Sequence, residues 1–333
     1  MENNNKRIVV FGATGAVGTY ATMDLSRCGY NVIAVGHRSS DNGFFAQYGI
    51  PYYSVDIVNK NDFNKLPNND IWAVVNLAGA LPAGMKEYNP QLYIDSIVTG
   101  TLNVLDYCLI SGSSRIVFAQ SVSDVIHLYG QKAPIPSDAE RRFPLNNDHS
   151  VYAICKNASV DMIEHYYAKY GLKRFVLRFP NIYLYHPNKY YYVDCVKKWH
   201  SFRYLIDRAQ KGLPLELWGN PDVVRDMVYV KDCTQIICKT IDANVEGGMY
   251  NVGTGIGTSM RSQIEGIIKV FSPQDSPSII IERPDMPDSP EYIMDISKTV
   301  SELGYIPKYM YIDYLKDMKF TMEIAPFKLL WGV

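Results

Sequence analysis

The sequence lacks the features that would place it in a membrane or a metalloprotein class. No uncharged apolar run reaches the ~20 residues that span a bilayer, and the polar segment Met1 to Arg7 has no leader pattern. Six cysteines are scattered without a Cys-x-x-Cys pair, and the histidines form no spaced cluster, so we expect no metal site. Basic and acidic residues number 33 and 34, which leaves no excess charge for nucleic acid or an anionic membrane. We therefore predict a cytoplasmic protein whose cysteines are reduced and buried.

The first half of the chain alternates short β-branched runs with longer helical patterns, which is typical of a doubly wound parallel α/β sheet. The candidate strands are apolar at successive positions, so helices should cover both faces of the sheet. They are Arg7–Phe11, Asn31–Val35, Tyr52–Val55, Ile71–Leu77, Arg115–Gln120 and Arg174–Phe179, with helical patterns such as Val17–Cys28 and Tyr93–Ile110 between them. The pattern predicts a Rossmann-like fold with ligands at the carboxyl ends of the strands.

The predicted domain organisation follows from the length of the chain and from a change in its amino-acid composition after about residue 180. At 333 residues and 47% hydrophobic content the chain can form one large unit or two domains. We predict a dinucleotide-binding domain over residues 1–180, completed by parts of 226–253, and a smaller α/β substrate domain from 181–225 and 254–333. Residues 128–148 and 183–192 are interpreted as loops. The segment 320–333 is interrupted by charge and proline, and we expect it to pack on the protein or an adjoining subunit.

A glycine-rich turn follows the first candidate strand and opens a helix. It consists of Gly12, Ala13, Thr14, Gly15, Ala16, Val17 and Gly18. Glycines let the backbone approach a pyrophosphate, whose charge is stabilised by the N–H groups and the positive end of the helix dipole. The turn predicts dinucleotide binding, with an ordinary structural turn as the alternative.

The residues after the second candidate strand bear on the kind of dinucleotide. An NAD-binding protein usually presents Asp or Glu there, but this sequence has Gly36, His37 and Arg38. A guanidinium in place of a carboxylate suits a 2′-phosphate. We therefore predict NADP(H) in preference to NAD(H), the alternative being that Arg38 is only a solvated loop residue.

Two Tyr-x-x-x-Lys pairs occur in the chain. The pair Tyr185/Lys189 contains Pro187, which would break the helix needed to place both side chains on one face. Tyr152 and Lys156 lie in a proline-free helical pattern. A neighbouring ammonium favours the phenolate of a tyrosine, so this pair can exchange a proton with a substrate hydroxyl while hydride moves to or from a nicotinamide.

Several further segments resemble, in chain order, the extended short-chain dehydrogenase/reductase family of nucleotide-sugar epimerases, dehydratases and ketoreductases. They are Asp56-Ile57, Asn76-Leu77-Ala78-Gly79, Gly100-Thr101-Leu102-Asn103, Tyr152 to Lys156, Arg178-Phe179-Pro180-Asn181, Arg225 to Asp232, Tyr250-Asn251-Val252-Gly253 and Asp295-Ile296-Ser297-Lys298. The resemblance implies that Asp56 and Ile57 contact adenine, that Leu77, Ala78 and Gly79 lie along the cofactor, and that Lys156 holds the nicotinamide ribose. It also implies a homodimer through the helices around 93–110 and 151–170.

The resemblance further implies an active-site hydroxyl beside Tyr152. Aligning the fifth candidate strand with the family places Ser121 at this position. The family's Val-Tyr-Gly corresponds here to Val125-Ile126-His127, and counting back from these residues reaches Val122, which has no hydroxyl. We favour Ser121, because one extra residue is easier to accommodate in the following loop than inside a strand, and we keep Ser123 as the fallback. Either serine could instead cap a turn.

The resemblance also suggests a substrate and a reaction. Asn181 and Arg225 match positions that contact the diphosphate of a sugar nucleotide, although Arg225 could instead form a salt bridge with Asp226 or Asp232. Val122-Ser123 stand where a 4,6-dehydratase carries Asp-Glu, so dehydration is disfavoured. The remaining hypotheses are a nucleotide-sugar epimerase or a 4-ketoreductase, and, from another class, a non-catalytic NADP-binding sensor or scaffold on the same fold.

Overall fold

The structure is a computed structural model that describes residues 5–147 and 149–332. The strands are β1 Arg7–Phe11, β2 Asn31–Gly36, β3 Tyr52–Ser54, β4 Ile71–Asn76, β5 Arg115–Ser121, β6 Lys173–Phe179, β7 Ile182–Tyr183, β8 Tyr190–Val193, β9 Val196–Trp199, β10 Leu215–Trp218, β11 Val224–Asp226, β12 Val228–Tyr229, β13 Gly247–Asn251, β14 Gly257–Ser259 and β15 Ile280–Arg283. The α-helices are α1 Ala16–Arg27, α2 Gln91–Tyr93, α3 Gly100–Ile110, α4 Ser150–Tyr170, α5 Ser201–Gln210, α6 Val230–Asp242, α7 Met260–Phe271, α8 Ser297–Leu303, α9 Tyr311–Ile324 and α10 Lys328–Trp331. Short 3₁₀ helices cover Phe45–Tyr48, Lys60–Lys65, Pro82–Gly84 and Val122–Leu128, and a π-helical turn covers Ile94–Thr99.

The central sheet has seven strands in the order β13-β6-β5-β4-β1-β2-β3. Every neighbouring pair in it is parallel. The chain order reverses between β1 and β4, which is the point where ligands bind in open α/β sheets. The predicted doubly wound α/β fold is therefore confirmed, and β13 adds a seventh strand beside β6.

Both faces of the sheet are covered. Successive residues of a strand point to opposite faces, so Ile8 and Val10 of β1 join a core with α1 and α6. Val9 and Phe11 join a second core with α3 and α4. Because both faces are buried, each position in β1 must be apolar, which is the pattern that located this strand in the sequence.

The segment after α9 packs on the α1 side of the sheet. The Phe327 ring lies edge-on to Tyr20 of α1, with ring centroids 4.8 Å apart, and to Phe44, at 5.8 Å. Leu330 is fully buried. The described part of the tail therefore packs on the protein itself, which is one of the two expected arrangements.

Three local predictions can be compared with the backbone. The pattern Tyr93–Ile110 is not one regular helix, because its first part, Ile94–Thr99, is π-helical. Residues 183–192 are not wholly a loop, since they include the start of the antiparallel pair of β8 and β9. Residues 129–147 contain no helix or extended strand, as predicted for a loop, but Leu128 is the last residue of a 3₁₀ helix, and Asp148 lies outside the described residues.

The prediction that the cysteines are buried is wrong for two of them. Cys28 and Cys195 are exposed, whereas Cys238 is partly buried and the remaining three are buried. Cys28 ends α1 at its surface, and Cys195 lies in the turn between β8 and β9 with a φ of 63°. A position in a turn or at a helix end exposes a side chain whatever its intrinsic preference for the core.

Candidate active site

The glycine turn lies between β1 and α1, at the reversal point of the sheet. Ala13 N donates to Val35 O and Gly15 N donates to Gly12 O, both at 2.9 Å. Gly12 has a φ of 81°, and a Cβ there would lie 2.9 Å from the backbone of Leu77–Ala78. In the described structure Gly15 provides no side-chain cap, so the first N–H groups of α1 stay available to a ligand.

The other residues of the turn form close contacts around it. Ala16–Gly18 make the first turn of α1, and a Cβ on Gly18 would overlap the carbonyl of Gly12. Thr14 is buried, and a Cβ on Gly36 would lie 2.9 Å from its Oγ1. The turn therefore brings β1, β2 and α1 so close together that side chains are excluded at these glycines.

The carboxyl end of β2 carries exposed His37 and Arg38. Arg38 Nη1 donates to Leu330 O at 2.8 Å, and the Tyr52 hydroxyl donates to Arg38 O at 2.6 Å. Asp41 is the first carboxylate after the strand, but it is buried and accepts backbone N–H groups of its own loop. The structure thus places Arg38 where the sequence predicts it, with one of its amino groups bound to the tail.

The remaining predicted cofactor contacts follow β3 and β4. Asp56 Oδ1 accepts from Val58 N at 3.0 Å, and Ile57 is buried. Leu77 N donates to Phe11 O at 3.0 Å, which places Leu77–Gly79 directly beside the glycine turn. All these segments therefore meet at the same edge of the sheet.

Asn76, the last residue of β4, is buried and only partly satisfied. Its Oδ1 accepts from Ala78 N at 3.2 Å. Its Nδ2 is buried without a hydrogen-bond partner among the described residues. A buried amide that lacks a partner suits a polar ligand group at this edge.

Tyr152 and Lys156 lie one turn apart on α4 and are 6% and 5% exposed. Lys156 Nζ donates to Ala119 O of β5 at 2.7 Å and lies 5.8 Å from the centroid of the Tyr152 ring. Burial raises the pKa of Tyr152 to about 12, against an opposing hydrogen bond with Ser121. Burial lowers the pKa of Lys156 to about 8. The structure therefore brings the predicted pair together at the carboxyl end of β5.

Both candidate serines lie beside this pair. Ser121 Oγ accepts from Ser123 N at 3.2 Å and from Ser123 Oγ at 2.7 Å. The Ser121 side chain also interacts with Tyr152, because it opposes the rise in the pKa of the Tyr152 phenol. This interaction favours Ser121 over Ser123, and Ser121 caps the following 3₁₀ helix as well.

A buried ion pair lies next to the serines. Arg178 donates from Nε to Asp124 Oδ1 at 3.0 Å and from Nη2 to Oδ2 at 3.1 Å, and both residues are 1% exposed. Arg178 Nη1 also donates to Ser137 O and Asn251 Oδ1, both at 3.0 Å. Burial raises the pKa of the Asp124 carboxyl, against the charge of Arg178. Sequence reasoning missed this pair; the one local signal is Arg178, a charged residue inside the apolar run of β6.

Arg225 and Asn181, the predicted substrate contacts, lie on neighbouring segments. β7 begins directly after Asn181 and pairs with β12, which begins three residues after Arg225. Arg225 Nε donates to Pro290 O at 3.1 Å. Asp226 and Asp232 instead accept backbone N–H groups, so within the described ranges Arg225 makes no ion pair with either. Asn181 is exposed and lies two residues after the end of β6.

Three tyrosines lie near enough to Arg225 for its charge to act on their hydroxyls, and the sequence did not single them out. The rings of Tyr129 and Tyr292 stack with centroids 4.7 Å apart. Burial raises the pKa of Tyr129, Tyr183 and Tyr292, and the charge of Arg225 opposes this rise in each. With 26 tyrosines in the chain, no sequence signal distinguishes these from tyrosines of the core.

Residues 5–147 and 149–332 contain neither a helix suited to cross a membrane nor a cluster of metal-binding side chains. No helix there is long and apolar enough to span a bilayer. The same residues contain no group of three or more His, Cys, Asp or Glu side chains that could hold a metal ion.

Residues 8–253 match the family model of the NAD dependent epimerase/dehydratase family. The chain belongs to this family. A UDP-glucose 4-epimerase of Rhizobium meliloti is 25% identical over 329 residues, covering 93% of this chain and 94% of the relative. A structure of UDP-glucose 4-epimerase from Thermotoga maritima has a TM-score of 0.75 at 21% identity and covers 96% of this chain and 99% of its own. A UDP-N-acetylglucosamine 4-epimerase structure from Bacillus cereus has a TM-score of 0.73 at 22% identity and covers 96% of each chain.

Membership of the NAD dependent epimerase/dehydratase family confirms the resemblance to extended short-chain dehydrogenases/reductases and the prediction of an enzyme of that type. The roles of the individual residues stay predictions. The geometry brings Ser121, Tyr152 and Lys156 into one cluster, while Asn181 and Arg225 lie on the neighbouring segments before β7 and β12.

Proposed function

We propose that this member of the epimerase/dehydratase family is a nucleotide-sugar 4-epimerase that uses a nicotinamide dinucleotide. The observation that carries the proposal is the cluster of Tyr152, Lys156 and Ser121 at the carboxyl end of β5. The relatives from Rhizobium, Thermotoga and Bacillus named above as 4-epimerases of UDP-sugars support the same reaction class.

Two features fit such a cofactor. The glycine turn is packed so tightly that a Cβ on Gly12 or Gly18 would meet backbone atoms, and it leaves the N-terminus of α1 without a side-chain cap and open to a pyrophosphate. The buried Asn76 Nδ2 offers a hydrogen bond at the same edge. The turn would hold the pyrophosphate, and Leu77–Gly79 would lie along the dinucleotide. Such a cofactor would supply the acceptor and donor of the hydride that an epimerisation at the sugar carbon requires.

The side chains of the cluster would handle the proton. With a pKa of about 12, the Tyr152 phenol is protonated at neutral pH, so it becomes a base only when positive charge lies close to it. Lys156 supplies part of that charge while Ala119 O fixes its position. Ser121 would donate a hydrogen bond to the sugar oxygen that Tyr152 deprotonates, and its interaction with the phenol supports this role.

A 4,6-dehydratase is disfavoured on the geometry. Such an enzyme needs an acidic side chain that can protonate a leaving hydroxyl. Asp124, the acidic residue nearest to Ser121 along the chain, is held in the buried ion pair with Arg178. A carboxylate fixed in this way is not free to act on a substrate.

A 4-ketoreductase is the second candidate, and Arg38 is the observation that favours it. Arg38 is exposed at the end of β2, and among the described residues it forms no ion pair. An unpaired guanidinium at this position suits the 2′-phosphate of NADP(H), which a reductase consumes at each turnover. We therefore propose NADP(H) in preference to NAD(H), although a relative from Thermus thermophilus is described in complex with NAD.

We also propose a homodimer through α3 and α4. Leu102 and Leu109, seven residues apart and so on one side of α3, are 41% and 38% exposed, and Ile154 of α4 is 47% exposed. Exposed apolar side chains on neighbouring helices suit a contact between subunits. Light scattering at micromolar concentration that shows only monomer would contradict this.

The test is turnover of UDP-glucose, UDP-N-acetylglucosamine and UDP-glucuronic acid, each with NAD and with NADP, followed by liquid chromatography and mass spectrometry. An epimerase yields the C4 epimer with no net change in reduced cofactor, whereas a ketoreductase, running in reverse under these conditions, yields a 4-keto sugar and an equal amount of NADPH. Tyr152→Phe should abolish turnover. Tyr185→Phe, in the second Tyr-x-x-x-Lys pair, is the matched control and should keep it. Parent-like turnover by Tyr152→Phe, or no turnover of any nucleotide sugar, would refute the proposal.

A further inference from the structure

Cys28 and Cys238 lie in contact, although 210 residues separate them along the chain. Cys28 follows the last residue of α1, and Cys238 lies on α6. The distance between their Sγ atoms is 3.4 Å. Disulfide bonds are about 2.05 Å long, so the two sulfurs need to approach by little more than 1 Å.

Two further contacts fix this register of α1 against α6. One turn before the cysteines, Thr234 Oγ1 donates to Asp24 Oδ2 at 2.5 Å. Beyond them, the Tyr30 hydroxyl donates to Asp242 Oδ2 at 2.7 Å. Residue 24 of α1 thus faces residue 234 of α6, and residue 28, which follows α1, faces residue 238. Because the spacing is four residues on both sides, the two helices run in the same direction, and the contact between the sulfurs is one of a series of contacts between them.

The two thiols differ in chemical character. The hydrogen bond with Cys238 and, to a smaller extent, the charge of Lys308 lower the pKa of Cys28 to about 7, against burial and the charges of Asp24 and Asp242. The interaction with Cys28 and burial raise the pKa of Cys238. Cys28 is also the exposed member of the pair. An accessible thiolate beside a second thiol is the arrangement found at redox-active cysteine pairs.

We propose that Cys28 and Cys238 are a redox-active pair that forms a reversible disulfide between α1 and α6 when a small-molecule disulfide, such as oxidised glutathione, is present. The Cys28 thiolate attacks one sulfur of the small disulfide, whose S–S bond breaks and releases one small thiolate. Cys238 then loses its proton and attacks the Cys28 sulfur, which releases the second small thiolate. The two protein thiols give up two electrons and two protons, and the small disulfide is reduced to two thiols.

The bond would tie the cofactor-binding half of the fold to the later part of the chain. α1 begins at the glycine turn, and α6 packs beside it in the same core. A cross-link that closes a loop of this length restricts the unfolded chain. We therefore expect the oxidised protein to melt at a higher temperature than the reduced protein.

The experiment uses the full chain, reduced and then equilibrated with oxidised glutathione, alkylated with N-ethylmaleimide and digested. The expected result is a peptide that links Cys28 to Cys238, lost after reduction, together with a raised melting temperature. Cys195→Ser, which removes the other exposed thiol, is the matched control and should still form the link. Cys238→Ser should retain glutathione on Cys28, because the second thiol is missing.

Three outcomes would overturn the proposal. The first is alkylation of both Cys28 and Cys238 after oxidation. The second is a link from either residue to another cysteine. The third is loss of the link in Cys195→Ser. Circular dichroism of each variant shows whether it is folded. The first two outcomes are decided by the wild-type digest alone, so they can refute the proposal even if a variant misfolds.

Discussion

Replacing Lys156 with methionine should remove a pH dependence from the stability of the protein. Burial lowers the pKa of Lys156 from 10.5 to about 8. At a pH between these two values, Lys156 is protonated in the unfolded chain and deprotonated in the folded chain. Stability that depends on this group therefore rises as the pH rises through this window. Methionine has a similar length and no charge, so the variant lacks this contribution.

The expected size follows from the same shift in pKa. One pKa unit corresponds to about 1.4 kcal/mol, and between about pH 7 and about pH 9.5 the lysine contributes a gain of about 2 kcal/mol. The assay is urea unfolding of the wild type and Lys156→Met at both pH values, followed by circular dichroism. The other titratable groups are the same in both proteins. Their contribution cancels when the change in unfolding free energy with pH of the variant is subtracted from that of the wild type.

Lys169→Met serves as the control, because it removes an exposed ammonium from the same helix. Its stability should change with pH as that of the wild type does. If Lys156→Met also follows the wild type, the ammonium is not buried in the way the geometry shows. The account of Lys156 as a closely held neighbour of Tyr152 would then be wrong.

Three further substitutions test the site. Asp124→Asn should lower the free energy of unfolding by about 3–5 kcal/mol, because it leaves the buried charge of Arg178 uncompensated; a loss below about 1 kcal/mol in urea unfolding would contradict this. Gly18→Ala should abolish cofactor binding, since its Cβ overlaps a carbonyl of the glycine turn, and parent-like affinity in a fluorescence titration would count against it. Ser121→Ala should lower kcat by about 10²–10³-fold and Ser123→Ala by much less; the reverse order in steady-state assays would reassign the hydroxyl.

The sheet was predictable because its strands are buried on both faces. Arg7–Phe11 has the same bounds in sequence and structure, and the sixth strand begins one residue earlier than predicted. The helical pattern Val17–Cys28 is displaced from α1 by one residue at each end. Local alternation of apolar runs, glycines and helical spacing determines these elements, so a single sequence contains the signal. The π-helical turn has no such signal.

Contacts between distant parts of the chain were not predictable. Arg38 and the carbonyl of Leu330 are 292 residues apart, and Cys28 and Cys238 are 210 apart. The sequence places each residue on an element, but it does not reveal which loop meets which tail. The cluster at the carboxyl end of β5 could be anticipated only because a family pattern supplied the missing tertiary information.

The late position of β13 limits how the protein can be dissected. Asn251 of β13 lies 73 residues beyond Arg178 of β6, its partner across the sheet. A fragment that stops at residue 180 leaves one side of β6 without backbone partners and removes α6 from the face of α1. Open strand edges and bare apolar faces cause aggregation. Split-protein designs should therefore keep residues 230–251 joined to the first half.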